Sequence, residues 1–275
     1  MELVGMVVAS IVVGLGVGIL SGMLGIGGGT VLVPVFRLGY AMDAIACTAT
    51  SLFTIIPTSI SGAVSHIRHK TCIPKLGIAA GLGGAVTSSL GVWLANISPD
   101  WAIMVAAAII IGYSAFNMLR KAAAMKPKKA ADADGASAKA VEEVPPVPHL
   151  TPKQLAIGAG IGLFAGIASG YVGVGGGFIM VPLMTSLLGT PMKLTSGTSL
   201  IAIMILAVPG VVEQALLGNV NWVAGIAVAC GSIPGATIGA RLVRRVPERM
   251  LRFAFGILLL FAALILVLEQ TGVMA

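Results

Sequence analysis

Apolar residues in this chain come in long unbroken runs, at 3–24, 45–65, 76–96, 101–119, 154–174, 195–212, 222–240 and 253–268. Each run approaches the roughly 17–25 residues a helix needs to cross a bilayer. Inside hydrocarbon every backbone polar group must find an internal partner, which leaves helices or a closed barrel. Barrel strands alternate apolar and polar positions, and these runs do not alternate. The pattern therefore predicts an all-α polytopic membrane protein. Two shorter apolar stretches, 27–40 and 175–188, are each entered through a run of glycines, and one hydrophilic tract, 121–153, divides the chain.

The two parts are copies of one unit. Residues 14–34 set against 162–182 share Gly14, Leu15, Gly18, Ile19, Ser21, Gly22, Gly25, Gly27, Gly28, Gly29, Val33 and Pro34, 12 identities in 21 positions. The offset of 148 holds without a gap to Leu94 and Leu242, pairing Thr50-Ser51-Leu52 with Thr198-Ser199-Leu200. The chain thus divides into a first membrane repeat (1–120), a hydrophilic linker (121–153) and a second membrane repeat (154–275). Two halves that both keep a chain-breaking block suggest a site shared at their interface. The first run belongs to the duplicated unit and its start, MELVG, lacks the basic region of a secretory signal. It reads as a retained helix.

Composition agrees: 57% of residues are hydrophobic and 10% charged, against about 25% charged in soluble domains. The net charge of +7 does not point to nucleic acid, because it is distributed as a topology signal. Lys121, Lys126, Lys128 and Lys129 follow directly on an apolar run, which places the linker in the cytoplasm. Equivalent loops carry opposite bias. Residues 65–75 hold Arg68, Lys70 and Lys75, while 213–223 hold Glu213 and no Lys or Arg; 95–101 hold only Asp100, while 243–249 hold Arg244, Arg245 and Arg249.

Opposite bias at equivalent loops is the mark of inverted-topology repeats, and inversion needs an odd number of passes per half. Counting 27–40 and 175–188 as passes gives about five per half, with both termini outside. Then 16 of the 17 Lys and Arg lie inside and only Arg37 outside, whereas parallel four-pass repeats split them 10 to 7. About 14 residues at 1.5 Å rise reach only about 21 Å. The short passes are therefore expected to be broken helices, buried in protein at the Gly-rich blocks.

Three consecutive glycines are costly mid-helix, at about 1 kcal/mol each against alanine, and permit a break and close backbone approach. Gly27-Gly28-Gly29-Thr30 leads to Pro34, and Gly175-Gly176-Gly177-Phe178 leads to Pro182. Proline is tolerated in the first turns of a helix, so each block reads as a break followed by a helix N-terminus. Helix starts offer free N–H groups and partial positive charge, which suits an anion. Two starts related by inversion would face one central cavity.

Thr50-Ser51 and Thr198-Ser199 are the second duplicated polar feature, either lining the substrate path or bonding back to their own helix. Tyr171 stands where the first block has Met23 and would give the site asymmetry. The scattered Gly14, Gly16, Gly18, Gly22 and Gly25 are expected to pack helices. His66, Glu213 and Arg241 are placed at helix boundaries, and Tyr40, Tyr113, Trp93, Trp101 and Trp222 at interfaces. Cys47, Cys72 and Cys230 show no CxxC spacing and read as small buried or edge residues. Neither GGGT nor GGGF continues into a phosphate-loop GK[ST].

The blocks SGMLGIGGGTVLVP and SGYVGVGGGFIMVP, the TSL triplets and the apolar layout resemble the TauE/SafE family of sulfite exporter-like permeases. The resemblance covers about 4–120 and 154–270. The second half keeps the Gly-Asn-Val-Asn-Trp stretch at 218–222 that the family shares, while Lys70-Thr71-Cys72-Ile73-Pro74 departs from it. The resemblance implies transport of sulfite, sulfonate or a related organosulfur anion across the bacterial inner membrane. Helix-start reasoning also favours a small anion.

The expectation is a secondary transporter working by alternating access, with no catalytic residues, metal site or cofactor. Its partners would be the lipid bilayer, the small anion and a coupling proton or sodium ion, unless the substrate's own gradient drives it. The alternatives are an anion channel and an intramembrane hydrolase prompted by Ser21-Gly22 and Ser196-Gly197. The hydrolase lacks a convincing base, since His66 and His69 fall at a boundary and His149 in the linker.

Overall fold

The structure, a computed structural model, describes residues 2–124 and 151–270. These form ten helices: α1 (Glu2–Leu24), α2 (Gly29–Tyr40), α3 (Ala44–Arg68), α4 (Pro74–Ile97), α5 (Asp100–Ala124), α6 (Pro152–Val172), α7 (Gly177–Leu187), α8 (Met192–Leu216), α9 (Trp222–Leu242) and α10 (Glu248–Gln270). Local signals set their starts. Thr151 and Gln154 exchange reciprocal bonds ahead of α6, with Pro152 in its first turn, the arrangement of a capping box. Pro74 opens α4, and the Asn221 side chain accepts from the Ala224 N–H at the start of α9. Most of the linker, 125–150, lies outside the described residues, and so does its expected cytoplasmic placement.

Seven helices (α1, α3, α4, α5, α6, α8 and α9) are long and apolar enough to cross a membrane by length and composition. The chain is a multi-pass α-helical membrane protein. The short stretches form the short broken helices expected at the Gly-rich blocks. With 12 and 11 residues, α2 and α7 are about 18 and 16 Å long, roughly half the hydrocarbon thickness. Their length is limited at one end by the glycine breaks and at the other by the turns into α3 and α8.

The halves are interleaved. Gly14, Gly18 and Gly22 of α1 lie against Val228, Ser232 and Ala236 of α9, while Gly231, Gly235 and Gly239 return the contact onto Ile11, Leu15 and Ile19. Gly162, Gly166 and Gly170 of α6 sit in the same way against Ala80, Gly84 and Ser88 of α4. Backbone meets backbone at every one of these steps, the small-residue packing expected of helices that have no hydrophobic drive to associate in lipid. Two of the scattered glycines differ from expectation. Gly16 has no neighbour where a Cβ would sit, and Gly25, at φ 76°, belongs to the chain break.

The remaining equivalents pair with each other. Thr50 near the start of α3 receives the Asn221 N–H that follows α8, at 3.0 Å, and Thr198 near the start of α8 receives the Ile73 N–H that follows α3, at 2.9 Å. Helices α3 and α8 therefore run antiparallel. So do α5 and α10, where Gly112 faces Ala263 and Gly256 faces Leu119. One end of the bundle gathers Arg68, His69, Arg241, Arg244 and Arg245. At the other end Asn219 reaches Asn96 at 3.5 Å, near the helix ends that carry Trp93, Trp101 and Trp222, all three largely exposed.

Candidate anion site at the two glycine breaks

Both breaks adopt the backbone that only glycine takes readily. Gly25, Gly27 and Gly28 have φ of 76°, 75° and 92°, and their equivalents Gly173, Gly175 and Gly176 have 73°, 81° and 70°. Such left-handed geometry costs roughly 1–2 kcal/mol for a residue with a side chain. Helix α2 then starts with the Gly28 carbonyl accepting from Val31 and Leu32, and α7 with the Gly176 carbonyl accepting from Ile179 and Met180. Pro34 and Pro182 follow within these short helices.

The two breaks meet. A Cβ at Gly29 would stand 2.6 Å from the Val174 backbone, and one at Gly177 would stand 2.5 Å from the Gly25 carbonyl oxygen and 2.8 Å from Ile26 Cα. Residues 29 and 177, and 26 and 174, are equivalents, so one contact is made twice about a local two-fold axis. Gly27 and Gly175 each face the side chains of Ile55 and Ile203, which are also equivalents and are fully buried near the midpoints of α3 and α8. The helix starts thus sit at mid-depth, as the glycine pattern predicts. Where the sequence suggests a central cavity, Ile55 and Ile203 fill the space between the breaks.

Hydroxyls around the breaks divide into two kinds. Thr50 and Thr198 hold the loops of the opposite half through the N–H groups described above, and Thr198 also donates to the Leu194 carbonyl at 2.6 Å. Ser199 donates to the Gly25 carbonyl at 2.6 Å, with the Ser196 carbonyl also within reach at 2.9 Å. Its equivalent Ser51 is buried with no partner among the described residues, and the same holds for Ser21, Ser169 and Thr30. Ser21 lies against Gly28, directly at the start of α2. Ser21 and Ser169, matched in the repeat, are not among the substrate-site residues expected from the sequence, although both precede their glycine blocks at the same offset. A buried hydroxyl without a bond loses its hydration with no return; Ser21, Ser169 and Thr30 lie on or next to the glycine blocks, and Ser51 is the equivalent of Ser199, which bonds the first block.

Phe178 occupies the position of Thr30 and is fully buried in the core. Tyr171 faces a lateral cleft of ≈ 860 Å³ with Tyr113, Asn117 and Pro182. The equivalent cleft, between α2 and α10, is ≈ 360 Å³ and runs from Thr30 along α2 to Phe261 and Leu258. Tyr171 therefore gives asymmetry to the flank of the site and not to the meeting point of the breaks.

His66 lies in the last turn of α3, at the expected helix boundary, but its side chain is not an exposed interfacial one. It is fully buried, its Nε2–H donating to the Gly22 carbonyl at 2.8 Å while Nδ1 lies 2.7 Å from the Thr71 hydroxyl. Gly197 makes room for the ring, since a Cβ there would stand 2.7 Å from it. His66 thus ties the last turn of α1 to the α3–α4 loop just ahead of the first break. Glu213 is half-buried and Arg241 exposed, as boundary residues are. Cys47 and Cys72 are buried and Cys230 is exposed; burial pushes the Cys72 thiol up to about 11, so it stays protonated and unreactive at neutral pH. Among the described residues, no group of three or more His, Cys, Asp or Glu is placed to hold a metal.

These features can be set beside known proteins. The probable membrane transporter protein YunE of Bacillus subtilis is 27% identical over 266 residues, covering 94% of this chain and 96% of its own. The probable membrane transporter protein YdhB of the same organism is 29% identical over 252 residues, covering 89% and 96%. A shorter match of 110 residues at 30% identity links the chain to the probable membrane transporter protein MJ0441 of Methanocaldococcus jannaschii, covering 38% and 41%. No solved structure matches. The model of the sulfite exporter TauE/SafE family matches residues 10–266, a span that takes in both glycine breaks and every helix they organise. The chain belongs to the TauE/SafE family of membrane transporters.

Proposed function

We propose that this protein is a secondary transporter of small sulfur-containing anions, sulfite or an organosulfonate, in the bacterial inner membrane. The reading is that two inverted repeats of about five helices each give alternating access to an anion held between α2 and α7, and that the protein catalyses no covalent chemistry. The observation that carries it is the pair of helix starts opposed at mid-depth, with Ser21, Thr30 and Ser169 buried and unpartnered beside them and Ser51 likewise at the position equivalent to Ser199. An anion held there would be bound by N–H groups and hydroxyls without a fixed cation, which keeps binding weak enough to release. Antiparallel α3 and α8, and the arginine and tryptophan ends of the bundle, support the inverted arrangement. Family membership and the printed name of the family model support the substrate class. Glycines 27–29 and 175–177 are proposed to hold the breaks open, with Thr50, Thr198 and Ser199 fixing their surroundings and Phe178 and Tyr171 shaping one side. A proton or sodium ion is the proposed coupling partner.

Flux of radiolabelled sulfite, sulfoacetate and taurine into proteoliposomes tests this directly. Saturable uptake and counterflow of at least one of them is expected. Ser51→Ala should weaken its apparent affinity several-fold to about tenfold, the usual effect of losing one hydroxyl, while leaving thermal stability unchanged. Selective uptake of cations, or no flux of any of these compounds, would overturn the reading.

A further inference from the structure

Helices α3 and α9 run parallel and leave a groove of ≈ 420 Å³ between them on the outer surface of the bundle. Its walls are apolar and open: Ile60 is 46% exposed, Val64 41% and Ile233 41%. Its floor is polar but already satisfied, since Ser61 bonds to Thr237 at 2.8 Å and to the Ile233 carbonyl at 2.7 Å. At the C-terminal ends of both helices the groove opens between Arg68, His69 and Arg241. A second pocket of ≈ 450 Å³ shares His69 and Arg241 and adds Arg244 and Arg245. None of these four arginines has an ion pair among the described residues, and Arg244 Nε is buried with no acceptor.

The internal repeat supplies a control. At the offset of 148, Arg68, His69 and Arg241 are replaced by Leu216, Leu217 and Trp93, and Ser65 by Glu213. The equivalent helix pair, α8 with α4, therefore packs without any of these cations, so packing does not require them. The basic groove exists at one end of the bundle only.

We infer that the α3–α9 groove is a binding site for an anionic phospholipid of the cytoplasmic leaflet, its phosphate seated between Arg68, Arg241 and Arg244 and its acyl chain lying on Ile60, Val64 and Ile233. A small free anion would use the arginines and leave the apolar wall bare. A lipid satisfies both, because the wall lies on helices that face hydrocarbon while the arginines stand at its edge. The assignment to the cytoplasmic leaflet rests on the inverted arrangement proposed above; the lipid site itself does not depend on which anion is carried.

Native mass spectrometry of the purified protein, titrated with phosphatidylglycerol and with phosphatidylcholine of the same chains, tests the inference. Phosphatidylglycerol should be retained preferentially. The double variant Arg68→Gln, Arg241→Gln should bind it about thirtyfold more weakly, while Lys75→Gln, which removes an exposed cation outside the groove, should bind as the parent does. Circular dichroism and retained sulfite flux would show that the double variant is folded. Equal retention of both lipids, an equal loss in Lys75→Gln, or displacement by millimolar inorganic phosphate would each overturn the lipid assignment. Loss of anion flux in the parent protein would count against the proposed transport activity and leave this result standing.

Discussion

At the scale of single residues the structure separates glycines that must be glycine from those that need not be. Gly29 touches the Val174 backbone across the local axis, whereas Gly16 has open space around it. Gly29→Ala should therefore abolish transport while the protein still inserts, and Gly16→Ala should transport normally. Gly16→Ala should also gain about 0.5–1 kcal/mol of helix stability. Flux and thermal unfolding on the two purified variants decide this, and a fully active Gly29→Ala would show that the breaks need not touch. His66→Phe removes the donor to Gly22 and the partner of Thr71. Leaving those groups buried and unpaired should cost about 1–3 kcal/mol, read as a lowered unfolding temperature in detergent. An unchanged temperature would mean that the ring's bonds contribute nothing net. The burial of His66 was not legible in the sequence because it depends on Gly197 and Gly22, both distant along the chain. The segment is a helix boundary, as Arg68 suggests, but there the ring turns inward.

Among elements, the helices themselves were the readable part. The apolar runs locate the eight longer helices to within a few residues, because length and continuous apolarity are all that a membrane asks of a helix. The glycine blocks likewise mark the starts of α2 and α7, since φ near +75° admits little else. Partnership between elements was not readable. Nothing local in Gly14, Gly18 and Gly22 says that they meet α9 of the other half and not a neighbour in their own. The role of Thr50 and Thr198 shows the same limit, for each hydroxyl holds the loop of the opposite repeat. Thr50→Val and Thr198→Val should accordingly each destabilise the protein by about 0.5–1.5 kcal/mol, and by similar amounts, because they are equivalents. Their effect on anion affinity should be smaller than that of Ser51→Ala. Calorimetry of binding beside thermal unfolding separates the two contributions; a large affinity loss at unchanged stability would return Thr50 and Thr198 to direct contact with the anion.

In the whole molecule, equivalent helices α3 and α8, and α5 and α10, run antiparallel, so equivalent loops lie at opposite ends of the bundle. The charge pattern anticipates this in the sequence, and the segregation of Arg68, Arg241, Arg244 and Arg245 from Trp93, Trp101 and Trp222 repeats it in three dimensions. Pro99 and Pro247 are equivalent exposed loop residues ahead of α5 and α10. In a background with Cys47, Cys72 and Cys230 replaced, Pro99→Cys and Pro247→Cys each give one accessible thiol. A membrane-impermeant maleimide applied to intact cells should label position 99 and reach position 247 only after permeabilisation. Labelling of both from the same side would contradict the inverted arrangement and, with it, the opposed helix starts as two gates to one anion site.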